Sequence, residues 1–106
     1  MGNLRFRPPQ PFDSAWQHVL DCTSFGPYCT QDSSTTGVPD DGSSEDCLTL
    51  NIWAPSDERR RQNGPFPVLA FIYGGGFNYG DTAQEIYNGF NLSQAEDVVV
   101  VTFNYR

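Results

Sequence analysis

The run Val98-Val99-Val100-Val101-Thr102-Phe103-Asn104-Tyr105 limits the possible folds more than any other stretch of the chain. Its first five side chains are all β-branched, stiff at χ1 and best accommodated on a pleated surface. Apolar residues fall on both faces of the strand, the pattern of one covered from above and below. Phe66-Pro67-Val68-Leu69-Ala70-Phe71-Ile72-Tyr73 reads the same way, apolar on both faces and therefore buried. Cys47-Leu48-Thr49-Leu50-Asn51-Ile52-Trp53 alternates partly, stops at Pro55 and reads as a third strand. A polar turn at Arg59-Arg60-Arg61-Gln62-Asn63-Gly64 separates the first two strands and predicts an antiparallel relation. Residues 74–97 leave room for a parallel crossover between the second and third. The expected fold is α/β, a mixed and mostly buried sheet. Such a sheet needs helices on both faces, and 106 residues do not supply them. The expectation is therefore part of a larger domain, truncated at both ends.

The remaining segments are polar or irregular. Residues 1–13 carry three prolines and read as an extended, surface-hugging lead-in. Ser14–Leu20 has the makings of a short helical turn capped by Ser14. Residues 30–46 are dominated by Ser, Thr, Asp, Gly and Pro and form a loop with Cys29 and Cys47 at its ends. Asp81–Ala95 has room for a short helix. The formal charge of −7, with all six basic residues arginine, opposes binding to nucleic acid or an anionic membrane. No apolar stretch nears the roughly 20 residues of a transmembrane helix, and the first residues lack the apolar core of a secretory signal.

Function is concentrated at Gly74-Gly75-Gly76, directly after the second strand. Consecutive glycines at a strand end are entropically costly. They also let neighbouring N–H groups point into one small space, suited to a phosphate or to the oxyanion of an acyl transfer. Phosphate fits poorly. Gly75–Thr82 has the Walker spacing, but Asp81 stands where lysine is required, and the third glycine of a dinucleotide fingerprint would fall on Tyr79. Acyl transfer fits better, because one oxyanion donor of α/β-hydrolases lies in a His-Gly-Gly-Gly-type loop; here Tyr73 stands in the histidine's place. A glycine turn that merely eases packing is the plainer alternative. The three cysteines suggest one disulfide and one unpaired thiol. There is no Cys-x-x-Cys pair, and His18 is the sole histidine, so neither metal nor another cofactor is expected. Asn91-Leu92-Ser93 is a glycosylation sequon, which together with a disulfide favours an exported protein.

Four motifs carry a resemblance. Ser44-Glu45-Asp46-Cys47-Leu48-Thr49-Leu50-Asn51-Ile52-Trp53 resembles the Glu-Asp-Cys-Leu-x-Leu-Asn signature of type-B carboxylesterases, the cholinesterase-like family. Gly2-Asn3-Leu4-Arg5-Phe6 with Pro8-Pro9, Tyr73-Gly74-Gly75-Gly76-Phe77 and Asn104-Tyr105-Arg106 match that family in order and rough spacing. The resemblance implies an α/β-hydrolase fold and carboxylic ester hydrolysis by a Ser–Glu/Asp–His triad, usually in a secreted glycoprotein, with a small-molecule ester as substrate. It places the oxyanion donors on the N–H groups of Gly75 and Gly76, with Gly74 in support. It pairs Cys29 with Cys47, leaves Cys22 alone, joins Arg5 to Glu45 as an ion pair, and puts Val98–Tyr105 between the other two strands. Residues 1–106 would then be the N-terminal portion of one catalytic domain. The chain contains no Gly-x-Ser-x-Gly elbow, and His18 comes too early to serve a triad. The segment supplies the oxyanion side of a site without its nucleophile or base. A non-catalytic, cholinesterase-like adhesion domain is the alternative, distinguishable by the residue at the elbow serine. Residues 30–46 contain no aromatic, where cholinesterases hold a quaternary ammonium by cation–π attraction. That absence points to a general carboxylesterase or lipase-like specificity.

Overall fold

A computed structural model describes residues 4–8, 10–11, 13–32, 34 and 42–106. The elements run β1 (Tyr28–Cys29), β2 (Ser43–Ser44), β3 (Leu50–Trp53), α1 (Asp57–Asn63), β4 (Val68–Phe71), a 3₁₀ turn (Glu85–Tyr87), α2 (Phe90–Glu96) and β5 (Val99–Phe103). β1 and β2 form a small parallel pair, Tyr28 opposite Ser43 and Cys29 opposite Ser44. The main sheet has the order β3-β5-β4.

The β-branched run occupies the middle of that sheet, as the family resemblance implies. β5 pairs antiparallel with β3, Ile52 facing Val101, and parallel with β4, Ala70 facing Val101. The sheet is mixed, as expected. β3 and β4 run in opposite directions but are not neighbours, since β5 lies between them. The turn expected at Arg59–Gly64 is instead the greater part of α1. Ser56 caps it, its hydroxyl accepting from the Arg59 N–H; Asp57 and Glu58 lie in the first turn, Arg60 and Arg61 in the last, and Gly64 closes it at φ +82°. Cap, charges and closing glycine all favour a helix over a hairpin tip.

α2 lies in the region expected to hold a helix and packs on β5. Gly89, just before it, is buried, and a Cβ there would stand 2.6 Å from Val100 Cγ1 and 2.9 Å from Trp53 Cε3. The two helices are joined at their ends: Arg59 pairs with Asp97 at 3.1 Å, Asn63 donates to Asp97 at 3.0 Å, and Arg59 also donates to the Gln94 carbonyl.

Three further expectations fail. Ser14–Leu20 forms no helix, and Trp16, Val19 and Leu20 are largely exposed, so a helix there would bury little apolar surface. Residues 4–7 make a turn, closed by the Arg7 N–H on the Leu4 carbonyl at 3.1 Å, rather than an extended strip. The second predicted strand is not buried. Val68 is 66% exposed, and Leu69, Phe71 and Ile72 are exposed as well, because β4 is an edge strand that the described residues cover only in part, Tyr87 packing on Phe71 with ring centroids 4.9 Å apart. Burial concentrates on one face of β5, at Val100 and Thr102.

Replacing Gly89 by alanine drives a methyl group into Val100 and Trp53. Overpacking of this kind costs about 1–3 kcal/mol, and chemical denaturation of the Gly89→Ala variant should show a loss in that range. A midpoint equal to that of the parent protein would contradict the tight approach of α2 to the sheet.

Candidate active site

β4 ends at Phe71, and Ile72-Tyr73 lead into the three glycines. Each glycine meets a different constraint. Gly74 has open space where a Cβ would stand. At Gly75 a Cβ would lie 1.7 Å from the Tyr79 carbonyl oxygen, so only glycine fits beneath that peptide. Gly76 (φ +61°) and Phe77 (φ +63°) are both left-handed, as in a type I′ turn. The turn is closed by the Asn78 N–H on the Gly75 carbonyl at 3.1 Å and the Tyr79 N–H on the same oxygen at 3.3 Å. Phe77 pays the strain of a positive φ while its ring stands almost wholly in solvent. Among the described residues, no protein acceptor takes the N–H of Gly75 or of Gly76.

The loop is held at its base by tyrosines. Tyr73 is buried, and its ring stacks on Tyr105 at 4.6 Å. The Tyr105 hydroxyl donates to the Tyr73 carbonyl at 2.7 Å, and the Tyr73 hydroxyl to the Tyr105 carbonyl at 3.3 Å. Burial raises the Tyr73 hydroxyl above the ordinary tyrosine value, with the nearby Tyr105 and Asp81 adding to the rise; a hydrogen bond with the Tyr105 backbone works the other way. Gly80 lies against the same ring, where a Cβ would stand 2.6 Å from Tyr73 Cδ2. The residue in the place of the family's histidine thus ties the ends of β4 and β5 together.

Beyond Gly80 the chain is fixed by a buried polar network. Thr82 gives both its N–H and its hydroxyl to Asn104 Oδ1, each at 3.1 Å. Asn51 Nδ2 reaches the hydroxyls of Thr82 and Thr102, each at 3.0 Å. Asn104 Nδ2 donates to the Pro27 carbonyl at 3.3 Å. Thr82, Thr102 and Asn104 are all buried, and such groups are stable there because they satisfy one another.

The disulfide lies beside this loop. Cys29 and Cys47 are bonded with a Cα–Cα distance of 4.9 Å, and Cys22 is free and exposed. Crosslinking residues 18 apart restricts the unfolded chain by about 3 kcal/mol in the chain-entropy argument. The implied ion pair is present: Arg5 Nη2 lies 3.0 Å from Glu45 Oε1, and Arg106 donates to the Glu45 carbonyl. A cavity of about 510 Å³ opens between these groups, lined among others by Arg5, Glu45, Cys47, Tyr73, Asn78 and Tyr105. Gly75 and Gly76 are not in its lining.

Other predicted positions are scattered. Asn91 is exposed on α2, whereas Ser93 of its sequon is completely buried, its hydroxyl without a hydrogen-bond partner among the described residues. His18 is exposed. No group of three or more His, Cys, Asp or Glu among the described residues is arranged to hold a metal ion. No helix among them is long and apolar enough to cross a membrane. Much of the loop between the disulfide cysteines, including residues 33 and 35–41, falls outside the described residues, and with it the specificity expected from its lack of aromatics.

Residues 1–106 match the carboxylesterase family throughout. The chain belongs to the carboxylesterase family. Over its whole length it is 43% identical to acetylcholinesterase of Bungarus fasciatus, 42% identical to liver carboxylesterase 1 of Oryctolagus cuniculus and 45% identical to fumonisin B1 esterase of Sphingopyxis macrogoltabida. It spans 18%, 20% and 19% of those relatives' lengths. In this carboxylesterase-family chain the expected disulfide and ion pair are therefore in place beside the glycine turn.

Tyr73→Phe should keep the ring stack but lose the hydroxyl bond to Tyr105, at a cost of about 1 kcal/mol at neutral pH. Because burial raises the native Tyr73 pKa, the unfolded tyrosine ionises first. Wild-type stability then falls as pH rises through about 10. The variant lacks that component of the fall, so urea denaturation at pH 7 and in the alkaline range should show the two proteins converging. A gap that widens with pH would contradict the assignment.

Proposed function

We propose that this segment supplies the electrophile-stabilising side of a carboxylic ester hydrolase site, with the backbone N–H groups of Gly75 and Gly76 as oxyanion donors and Gly74 in support. One observation carries the reading: two adjacent N–H groups in a tight, glycine-dependent turn at the end of a strand have no internal acceptor among the described residues. Such donors act without reorganising as charge develops on a carbonyl oxygen. The names of the relatives, acetylcholinesterase, liver carboxylesterase 1 and fumonisin B1 esterase, agree with a small-molecule ester as substrate. The reading assigns residues 1–106 to one part of a larger catalytic domain, in keeping with the share of each relative they span. The serine nucleophile and its base would come from elsewhere in that domain, since the 106 residues hold no nucleophile elbow and one exposed histidine. The disulfide and the sequon at Asn91 suit an exported glycoprotein.

Removing one donor by replacing Gly75 with glycolic acid, which exchanges the N–H for an ester oxygen and adds no side chain beneath the Tyr79 peptide, should lower kcat of the full-length enzyme by about 10²–10³ while KM stays within about twofold. Gly76→Ala is the control: its Cβ would meet nothing closer than Asn78 Nδ2 at 3.9 Å, and both N–H groups remain. It should keep more activity than the donor-deleted protein, its loss reflecting only the strain of a side chain at φ +61°. Equal effects on kcat and KM in the Gly75 glycolic-acid variant would count against the donor role. The isolated polypeptide of residues 1–106 should hydrolyse a simple aryl ester no faster than buffer, and measurable turnover would overturn the division of the site.

A further inference from the structure

We infer that Gln31 is a positioning residue for the glycine turn, carrying the rigidity of the Cys29–Cys47 crosslink to the N–H groups of Gly75 and Gly76; this rests on the donor role proposed above. Its side-chain amide engages both polar groups of Gly80. Oε1 accepts from the Gly80 N–H at 2.8 Å, and Nε2 lies 3.4 Å from the Gly80 carbonyl. The same Nε2 donates to the Cys29 carbonyl at 3.2 Å, next to the sulfur bonded to Cys47. Gln31 is half-buried, so its amide faces less competition from water than a surface amide would.

Gly80 is one peptide from the turn. Tyr79 donates its N–H to the Gly75 carbonyl at 3.3 Å, and its own carbonyl fills the space a Gly75 Cβ would need. A shift at Gly80 therefore reaches Gly75 directly. With φ at +123° and no side chain, Gly80 has little of its own to fix the peptide orientation. Tyr73 limits it from one side and Gln31 grips it from the other. Oxyanion donors are effective because they are already aimed before charge appears, and small misplacements far from the chemistry weaken them sharply. Loosening Gly80 should thus weaken transition-state binding more than substrate binding.

The test uses the natural full-length enzyme with Gln31→Met, which keeps the bulk but neither hydrogen bond, and Gln31→Glu, which keeps the acceptor for the Gly80 N–H. Gln31→Met should lower kcat about tenfold with KM within about twofold. It should weaken binding of an aryl trifluoromethyl ketone, which becomes a tetrahedral oxyanion in the site, by a similar factor. Binding of the corresponding methyl ketone, held as an uncharged carbonyl, should be unchanged. Gln31→Glu should recover part of the loss, to within about threefold of the parent kcat. Wild-type kcat in Gln31→Met, or a loss shared equally by both ketones, overturns the inference. If Gln31→Met does not fold, Gln31→Glu decides: a small fall in kcat at constant KM supports the role, and unchanged kcat overturns it. Replacing Gly75 by glycolic acid, which removes the N–H without adding a side chain, separates the two readings. If that variant is crippled while Gln31→Met is fully active, only the positioning role fails. If it retains parental turnover, the donor role fails and this inference falls with it.

Discussion

The pairing of β5 along both its edges is the constraint on which the rest of the structure depends. Val99–Phe103 receives β3 on one side and β4 on the other. That double pairing brings together two strands that do not otherwise touch. It also places Asn104 and Tyr105, just beyond the strand, against the segment that follows β4. The tyrosine clamp and the Thr82 network then fix the glycine turn from below and behind. The turn is held by the end of the sheet and by the disulfide region, and its exposed tip contributes little to its placement.

Much of this was legible from residue type and order. Five consecutive β-branched residues and an apolar partner strand are sufficient to predict a mixed sheet, and the glycines mark where the chain turns. The disulfide, the Arg5–Glu45 pair and the central place of β5 came from motif resemblance, and each is present. Composition alone left the partners of the three cysteines open. The α1 helix was missed because three arginines between two strands look like a solvated turn. The signals for it were Ser56 before two acidic residues and Gly64 after the basic ones.

Other features could not be read locally. Burial of β4 depends on what covers it, a property of tertiary context that an apolar sequence cannot supply. The roles of Gln31, Asn104 and Thr82 depend on contacts across 22 to 49 positions. Gln31 sits in a polar stretch without periodicity, and Asn104 reads as part of the last strand. Ser14–Leu20 has local helix signals but no surface to pack on, and a short isolated turn is not stable by itself.

The strand order also has a consequence for how the chain acquires its shape. β3 and β4 are made well before β5, yet neither pairs with the other, and both wait for the last strand of the segment. During synthesis from the N-terminus, two apolar ribbons therefore leave the ribosome with their backbone groups unsatisfied until the valine run emerges. Non-local closure of this kind is slow and exposes sticky intermediates. Within this segment, the interval between residues 53 and 99 is thus the one in which β3 and β4 emerge without the strand that pairs them.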